Sequence, residues 1–182
     1  MEILNLVKKR RHIHYFDPEP VSIEEIRTLL EAARWAPSAG NLQPWEIIVI
    51  NSDKDRNTLV DALRMKEFMR SAPLILVFCA DLNRSSERYG DRGTYLYAIQ
   101  DTAAAIQNVL LTATALGLGS GWVGAFDEEV IAGLFRLPAN VRPMALIMIG
   151  KSEENPTPPS RREIEDFAHM GEFGKRLLKT RP

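Results

Sequence analysis

Three short apolar runs decide what this chain can become. Residues 47–50 (IIVI), 74–80 (LILVFCA) and 144–149 (MALIMI) offer no charged or amide side chain to either face of an extended strand. Strands of this kind are stabilised by cover on both sides, as in sheets sandwiched between helices. The run 47–50 reads as a central strand, and the other two read as further buried strands. The covering helices have to come from the sequence between them.

Residues 3–9 read as a short helix ending in a basic cluster. Ser22 and Glu25 form a capping box before an apolar stripe of Ile26, Leu29, Leu30 and Ala33, and Pro37 stops that helix. Ser52 caps a helix through Leu63, with Leu59 and Ala62 facing inward. The longest periodic segment runs from Thr94 to Leu116, with alanines on several faces. Such a helix suits cover on every side, supplied by its own chain or by a second subunit. Asp127 caps a short helix through Phe135. Residues 64–68 are charged and irregular, and the polar stretch 81–92, followed by Gly93, reads as an exposed loop. Beyond Gly150, the prolines at 156, 158 and 159 indicate an extended arm (151–182), with a helix-like piece from Glu163.

A chain of 182 residues fits one domain, 1–182, and its net charge of −1 with interspersed signs excludes a nucleic-acid or anionic-membrane surface as its main business. No apolar run approaches the ~20 residues that span a bilayer. The lone Cys79 lies within an apolar run, so a buried reduced thiol is expected. The N-terminus lacks the basic start and apolar core of a signal peptide. These features together point to the cytoplasm. His12, His14, His169 and Cys79 lack zinc-site spacing, and neither a G-x-S-x-G elbow nor a phosphate-binding P-loop occurs. Gly119, Gly121 and Gly124 match G-x-G-x-x-G formally, but they follow a helix, and no acidic residue stands about 20 positions on. A better account is that Gly117 ends the long helix. A short strand then follows, whose glycines let a flat ring approach the backbone.

Two stretches remain to carry chemistry. In residues 37–45 (PSAGNLQPW), two prolines bracket small residues and two amides, so the backbone turns with little bulk over it. Such a loop can be an ordinary connection, or it can offer N–H, carbonyl and amide groups to a flat polar ligand. Arg10 and Arg11 are either a solvated pair or a fork for phosphate oxygens.

Together these stretches resemble the nitroreductase-like family of FMN-dependent oxidoreductases. That family opens with R-R-S-x-R-x-F, here Arg10, Arg11, His12, Ile13, His14, Tyr15 and Phe16. One helix later it carries A-P-S-x-x-N-x-Q-P-W, here Ala36, Pro37, Ser38, Asn41, Gln43, Pro44 and Trp45. The resemblance implies an α+β fold with a mostly antiparallel central sheet wrapped by helices. It implies a homodimer that binds FMN tightly at each of two interfaces, using both subunits. It carries Arg10, Arg11, His12 and His14, and Pro37, Ser38, Ala39, Asn41 and Gln43, onto the cofactor. Trp122, Val123, Gly124 and Ala125 fall along the face and edge of the isoalloxazine, and Arg161 and Arg162 fall on the phosphate. Relatives can also reach the flavin with a lysine near Lys66.

Three departures stand out. His12 replaces a serine, and His14 replaces an arginine or lysine, so a charge there exists only when the ring is protonated. Gly124 and Ala125 stand where many members carry a glutamate before a glycine, leaving the backbone to bond flavin N5. The implied reaction is ping-pong: NADH or NADPH reduces FMN, then a nitroaromatic, quinone or similar small acceptor is reduced. No protein acid or nucleophile is required, because the cofactor carries the chemistry. A flavin carrier or sensor without turnover is one alternative. A specialised relative that cleaves the flavin or reductively dehalogenates an aromatic is another.

Overall fold

In the computed structural model, which describes residues 2–64 and 67–177, the apolar runs form one antiparallel sheet. Its strands are β1 (Trp45–Ile50), β2 (Leu74–Asp81), β3 (Gly119–Val123) and β4 (Val141–Gly150), in the order β1-β2-β4-β3. The helices are α1 (Glu2–Lys9), α2 (Ile23–Arg34), α3 (Asp53–Leu63), α4 (Leu82–Arg92), α5 (Ala98–Ala115) and α6 (Glu128–Phe135). The fold is α+β, as the sequence implies.

Alternation along the two middle strands sorts their side chains onto two cores. Leu74, Leu76 and Phe78 of β2 join Ala145, Ile147 and Ile149 of β4 against Leu29 and Ala33 of α2 and Ile106, Val109 and Leu110 of α5. Their neighbours Ile75, Val77, Cys79, Leu146 and Met148 meet Leu59 and Val60 of α3 and Ile131 of α6 on the other face. The inward residues of α3 are thus Leu59 and Val60, while Ala62 is half-buried.

The run 47–50 is not central. Among the described residues β1 pairs only with β2, and Val49 is 37% exposed. Its two-sided apolarity has another cause: Ile47 packs into one core, and Ile48 and Ile50 into the other. The stretch 81–92 is not a loop but α4. Asp81 caps it by accepting from the N–H groups of Asn83 and Arg84, and Ser85 is its one buried residue. Gly90, at φ +55°, breaks the helix, and a π turn at Gly93–Tyr97 leads into α5, which therefore begins later than Thr94. Gly93 is required there, because a Cβ would stand 2.2 Å from the Ser85 carbonyl oxygen. The helix-like piece from Glu163 is a single 3₁₀ turn, Ile164–Asp166. Gly117 (φ +77°) after α5 and Asp127 at the head of α6 behave as their sequence suggests.

An irregular N-terminal segment completes the sheet's β3 edge. The Ile13 N–H donates to the Ser120 carbonyl at 3.0 Å, so His12 and Ser120 form an isolated parallel bridge. On its other side the segment meets residues 151–156. Asp17 N–H donates to the Lys151 carbonyl at 2.9 Å, and His14 N–H to the Glu154 carboxylate at 2.8 Å. The crossing depends on Gly121, where a Cβ would come within 2.6 Å of Met148 Cε and 2.7 Å of the Ile13 carbonyl oxygen. Gly121→Ala should therefore destabilise the protein by about 2 kcal/mol, the usual cost of overpacking. Denaturant unfolding checks this, and an unchanged midpoint would show that the segment does not lie there.

Candidate functional site

The structure gathers three of the four arginines singled out in the sequence. Arg10, Arg11 and Arg161 line a cavity of about 540 Å³ with Lys8, Gln107, Pro158 and Pro159. Arg11 Nε donates to the Pro156 carbonyl at 3.1 Å, which ties the end of α1 to the C-terminal stretch. Among the described residues Arg161 donates only to the backbone carbonyls of Pro159 and Ser160, both at 3.1 Å. Burial and the neighbouring charges of Arg161 and Arg11 pull the Arg10 pKa below the usual guanidinium value. Among the described residues no carboxylate forms an ion pair with any of the three. Arg162 turns away, donating to the Asp166 carbonyl at 2.5 Å and lying over the Phe167 ring at 5.8 Å.

His12 and His14 sit beside this cavity's arginines on the segment that crosses β3. His12 Nδ1 accepts the Trp122 N–H at 3.3 Å, which puts the proton of the neutral ring on Nε2. Burial, then the charges of His14 and Arg10, lower the His12 pKa, against an opposing pull from Glu154. The His14 ring packs edge-on to His12 at 4.6 Å and to Phe68 at 5.3 Å. At the end of β3 and just beyond it, Trp122, Gly124 and Ala125 face solvent, while Val123 turns into the core. The space expected beside Gly119 and Gly121 is taken by Ile13, His12 and Met148, whereas a Cβ at Gly124 would meet nothing nearer than 3.6 Å. Lys66 lies outside the described residues.

The loop after α2 is held in an uncommon backbone shape. Gly40, Asn41 and Gln43 have φ of +59°, +57° and +51°, a left-handed region that costs a non-glycine residue roughly 1 kcal/mol or more. Compensating bonds hold it. Gln43 N–H donates to Ser38 Oγ at 3.0 Å, and the Gln43 amide donates to the Asn41 carbonyl at 3.1 Å. The Ala39 N–H meets both carboxylate oxygens of Asp101 at 3.1 Å. Pro37 is exposed and Pro44 buried, so the loop leaves α2 in solvent and re-enters beside β1. From α4, Arg84 Nε donates to the Leu42 carbonyl at 2.7 Å.

Asp101 and α4 are what sequence reasoning missed. Asp101 is the one charged residue in α5, a signal that was available. It is 7% exposed, no cation pairs with it among the described residues, and burial raises its pKa. Gln107, six positions on, lines the arginine cavity. Six residues of helix amount to ~9 Å of rise and about 120° of rotation, so the loop and the cavity occupy different sides of α5.

The sequence model of the nitroreductase family matches residues 7–68 and 61–151. This chain belongs to the nitroreductase family. A protein of Archaeoglobus fulgidus, provisionally named NADH dehydrogenase/NAD(P)H nitroreductase, is 32% identical over 153 residues, 82% of this chain and 84% of that one. The NADH dehydrogenase of Thermus thermophilus is 30% identical over 184 residues, covering 86% and 90%. The solved NADPH:FMN oxidoreductase of Vibrio harveyi, complexed with NAD+, shares the fold at a TM-score of 0.85. It is 24% identical, and the match covers 95% of this chain and 78% of that one. These names support a coarse class, an NAD(P)H-linked oxidoreductase.

The buried Asp101 of this nitroreductase yields a pH prediction. Its folded pKa lies above the ordinary 3.8, so the folded state binds more protons than the unfolded chain in that window. Stability should therefore fall as pH rises from 3.8 through the folded value, a loss that Asp101→Asn escapes. Denaturant midpoints of both proteins between about pH 3 and 7 provide the check. Parallel profiles would mean that burial does not outweigh the opposing pull of the Ala39 N–H on the carboxylate.

Proposed function

We propose that this nitroreductase binds FMN and, as a homodimer, passes hydride from NADH or NADPH to a nitroaromatic, quinone or similar small acceptor in two separate half-reactions. The observation that carries this reading is the arginine cavity. Three guanidinium groups line it without a carboxylate partner among the described residues, an arrangement that suits a phosphate monoester carrying nearly two charges. Arg10, Arg11 and Arg161 would hold the FMN phosphate. When bound, FMN supplies the redox chemistry, taking hydride from the nicotinamide and yielding it to the acceptor. The His12 and His14 rings, the exposed backbone at Gly124 and Ala125, and the donors of the Ser38 to Gln43 loop would orient the ring. No protein nucleophile or general acid is assigned.

The homodimer belongs to the same reading. The loop and the arginine cavity lie on different sides of α5, which supports a second copy supplying the loop that completes each cavity. Apolar surface is available for such a contact: α1 buries no residue, and Ile3, Leu4 and Val7 are exposed. The relatives' nicotinamide-dependent names support the reductant, and the family supports the flavin.

Arg10→Ala and Arg161→Ala should each weaken FMN binding by about ten- to a hundredfold, the worth of a charge-assisted hydrogen bond. Riboflavin, which lacks the phosphate, should lose little, and Arg162→Ala should change neither. Fluorescence titration of the apoprotein with both flavins measures this. Equal losses for FMN and riboflavin would remove the arginines from the phosphate.

A further inference from the structure

A second arginine group lies on the far flank of the 38–43 loop, and the flavin reading makes no use of it. Arg84 and Arg88 are one helical turn apart on α4, ~6 Å along its axis, and Arg92 follows at the helix end. All three are exposed, and none forms an ion pair among the described residues. Two exposed carboxylates stand nearby, Glu87 three residues after Arg84 and Asp91 three residues after Arg88, and neither forms an ion pair with the arginines among the described residues.

These side chains are held rather than loose. Arg84 is fixed to the Leu42 carbonyl, and Arg88 Nη1 reaches within 3.5 Å of the Gly40 carbonyl oxygen. Arg88 lies over the Tyr89 ring at 5.4 Å, Arg92 over the Tyr97 ring at 5.3 Å, and the two rings brace each other at 5.1 Å and 88°. Arg92 Nε also bonds the Tyr97 hydroxyl at 3.1 Å. Tyr95, three residues beyond Arg92, leaves 72% of its surface exposed. Fixed guanidinium planes and an exposed aromatic ring on the next turn of the chain are the components that recognise a nucleotide: charge for its phosphates, a ring for its base.

We propose that Arg84, Arg88 and Arg92 bind the phosphates of the reducing dinucleotide, with Tyr95 offering a stacking face to its adenine, so that NADPH is preferred over NADH. The assignment rests on the flavin reading, because it requires the nicotinamide to reach a ring seated against the loop that these arginines flank. NADH presents two pyrophosphate charges. NADPH adds a 2′-phosphate with nearly two more, and three exposed cations discriminate in its favour. Arg84 also supports the loop, so the discriminating variants are Arg88→Ala and Arg92→Ala.

The test uses the flavin-loaded protein. The wild type should show a kcat/KM for NADPH at least about tenfold above that for NADH, as one or two charge-assisted bonds require. Either variant should narrow that ratio towards unity, with the change carried by KM, and the wild-type preference should shrink as salt is raised. Calorimetric titration with 2′,5′-ADP gives a readout independent of turnover: the wild type should bind it, and Arg88→Ala should lose about tenfold. Equal use of the two reductants, a preference for NADH, or a ratio that survives both substitutions would overturn the proposal. Binding of 2′,5′-ADP through Arg88 in a protein that takes up no flavin would instead overturn the flavin reading and leave the arginine row standing. A protein that binds neither would lose both.

Discussion

Seven consecutive residues of β2, 74–80, are cut off from solvent, and the placing of the other elements follows from that burial. Each fully buried large apolar side chain contributes about 1.5–3 kcal/mol, which no turn or surface ion pair matches. A strand buried this deeply needs β1 and β4 for its backbone bonds and a helical layer on each face for its side chains. α5 is the middle of one such layer, and its small residues allow α2 to approach it closely. Once α5 is fixed, its sequence decides where the functional surfaces go: Asp101 on one side takes the loop, and Gln107 on another walls the arginine cavity.

Much of this architecture was legible, and the illegible parts have physical reasons. The runs 74–80 and 144–149, the capping box at Ser22 and the cap at Asp127 are local signals, and local energetics enforce them. Whether 47–50 sits at the centre or the edge is set by sheet order, which depends on partners far away in sequence. Periodicity can report that both faces are covered, but not that one flank is open. α4 escaped because its one buried residue is a serine and its stability comes from folding back on the π turn at Gly93. A composition test sees only charge and glycine there.

The candidate site divides along the same line. Arg10 and Arg161 are about 150 residues apart and carry no local mark of meeting, so only the family resemblance brought them together. The choice between Arg161 and Arg162 turns on one residue of backbone direction, which sequence does not specify in an irregular segment. Asp101 was the readable signal that went unread: a single charge in an otherwise uncharged helix has to answer to something. Its answer, an amide in a loop with three left-handed residues, ties the stability of the core to the shape of a surface that would touch a ligand.

The N-terminal segment is fastened almost entirely by distant sequence. His14 bonds Glu154 across 140 positions, and Arg11 bonds Pro156 across 145. Contacts that close such long loops are entropically costly to form early in folding. The cradle made by Arg10, Arg11 and Arg161 thus depends on closing the longest loops of the chain. A chain whose sheet had assembled while its two ends were still apart would hold a hydrophobic core and no anion site. An anion bound there would report on, and by mass action favour, only the fully closed molecule.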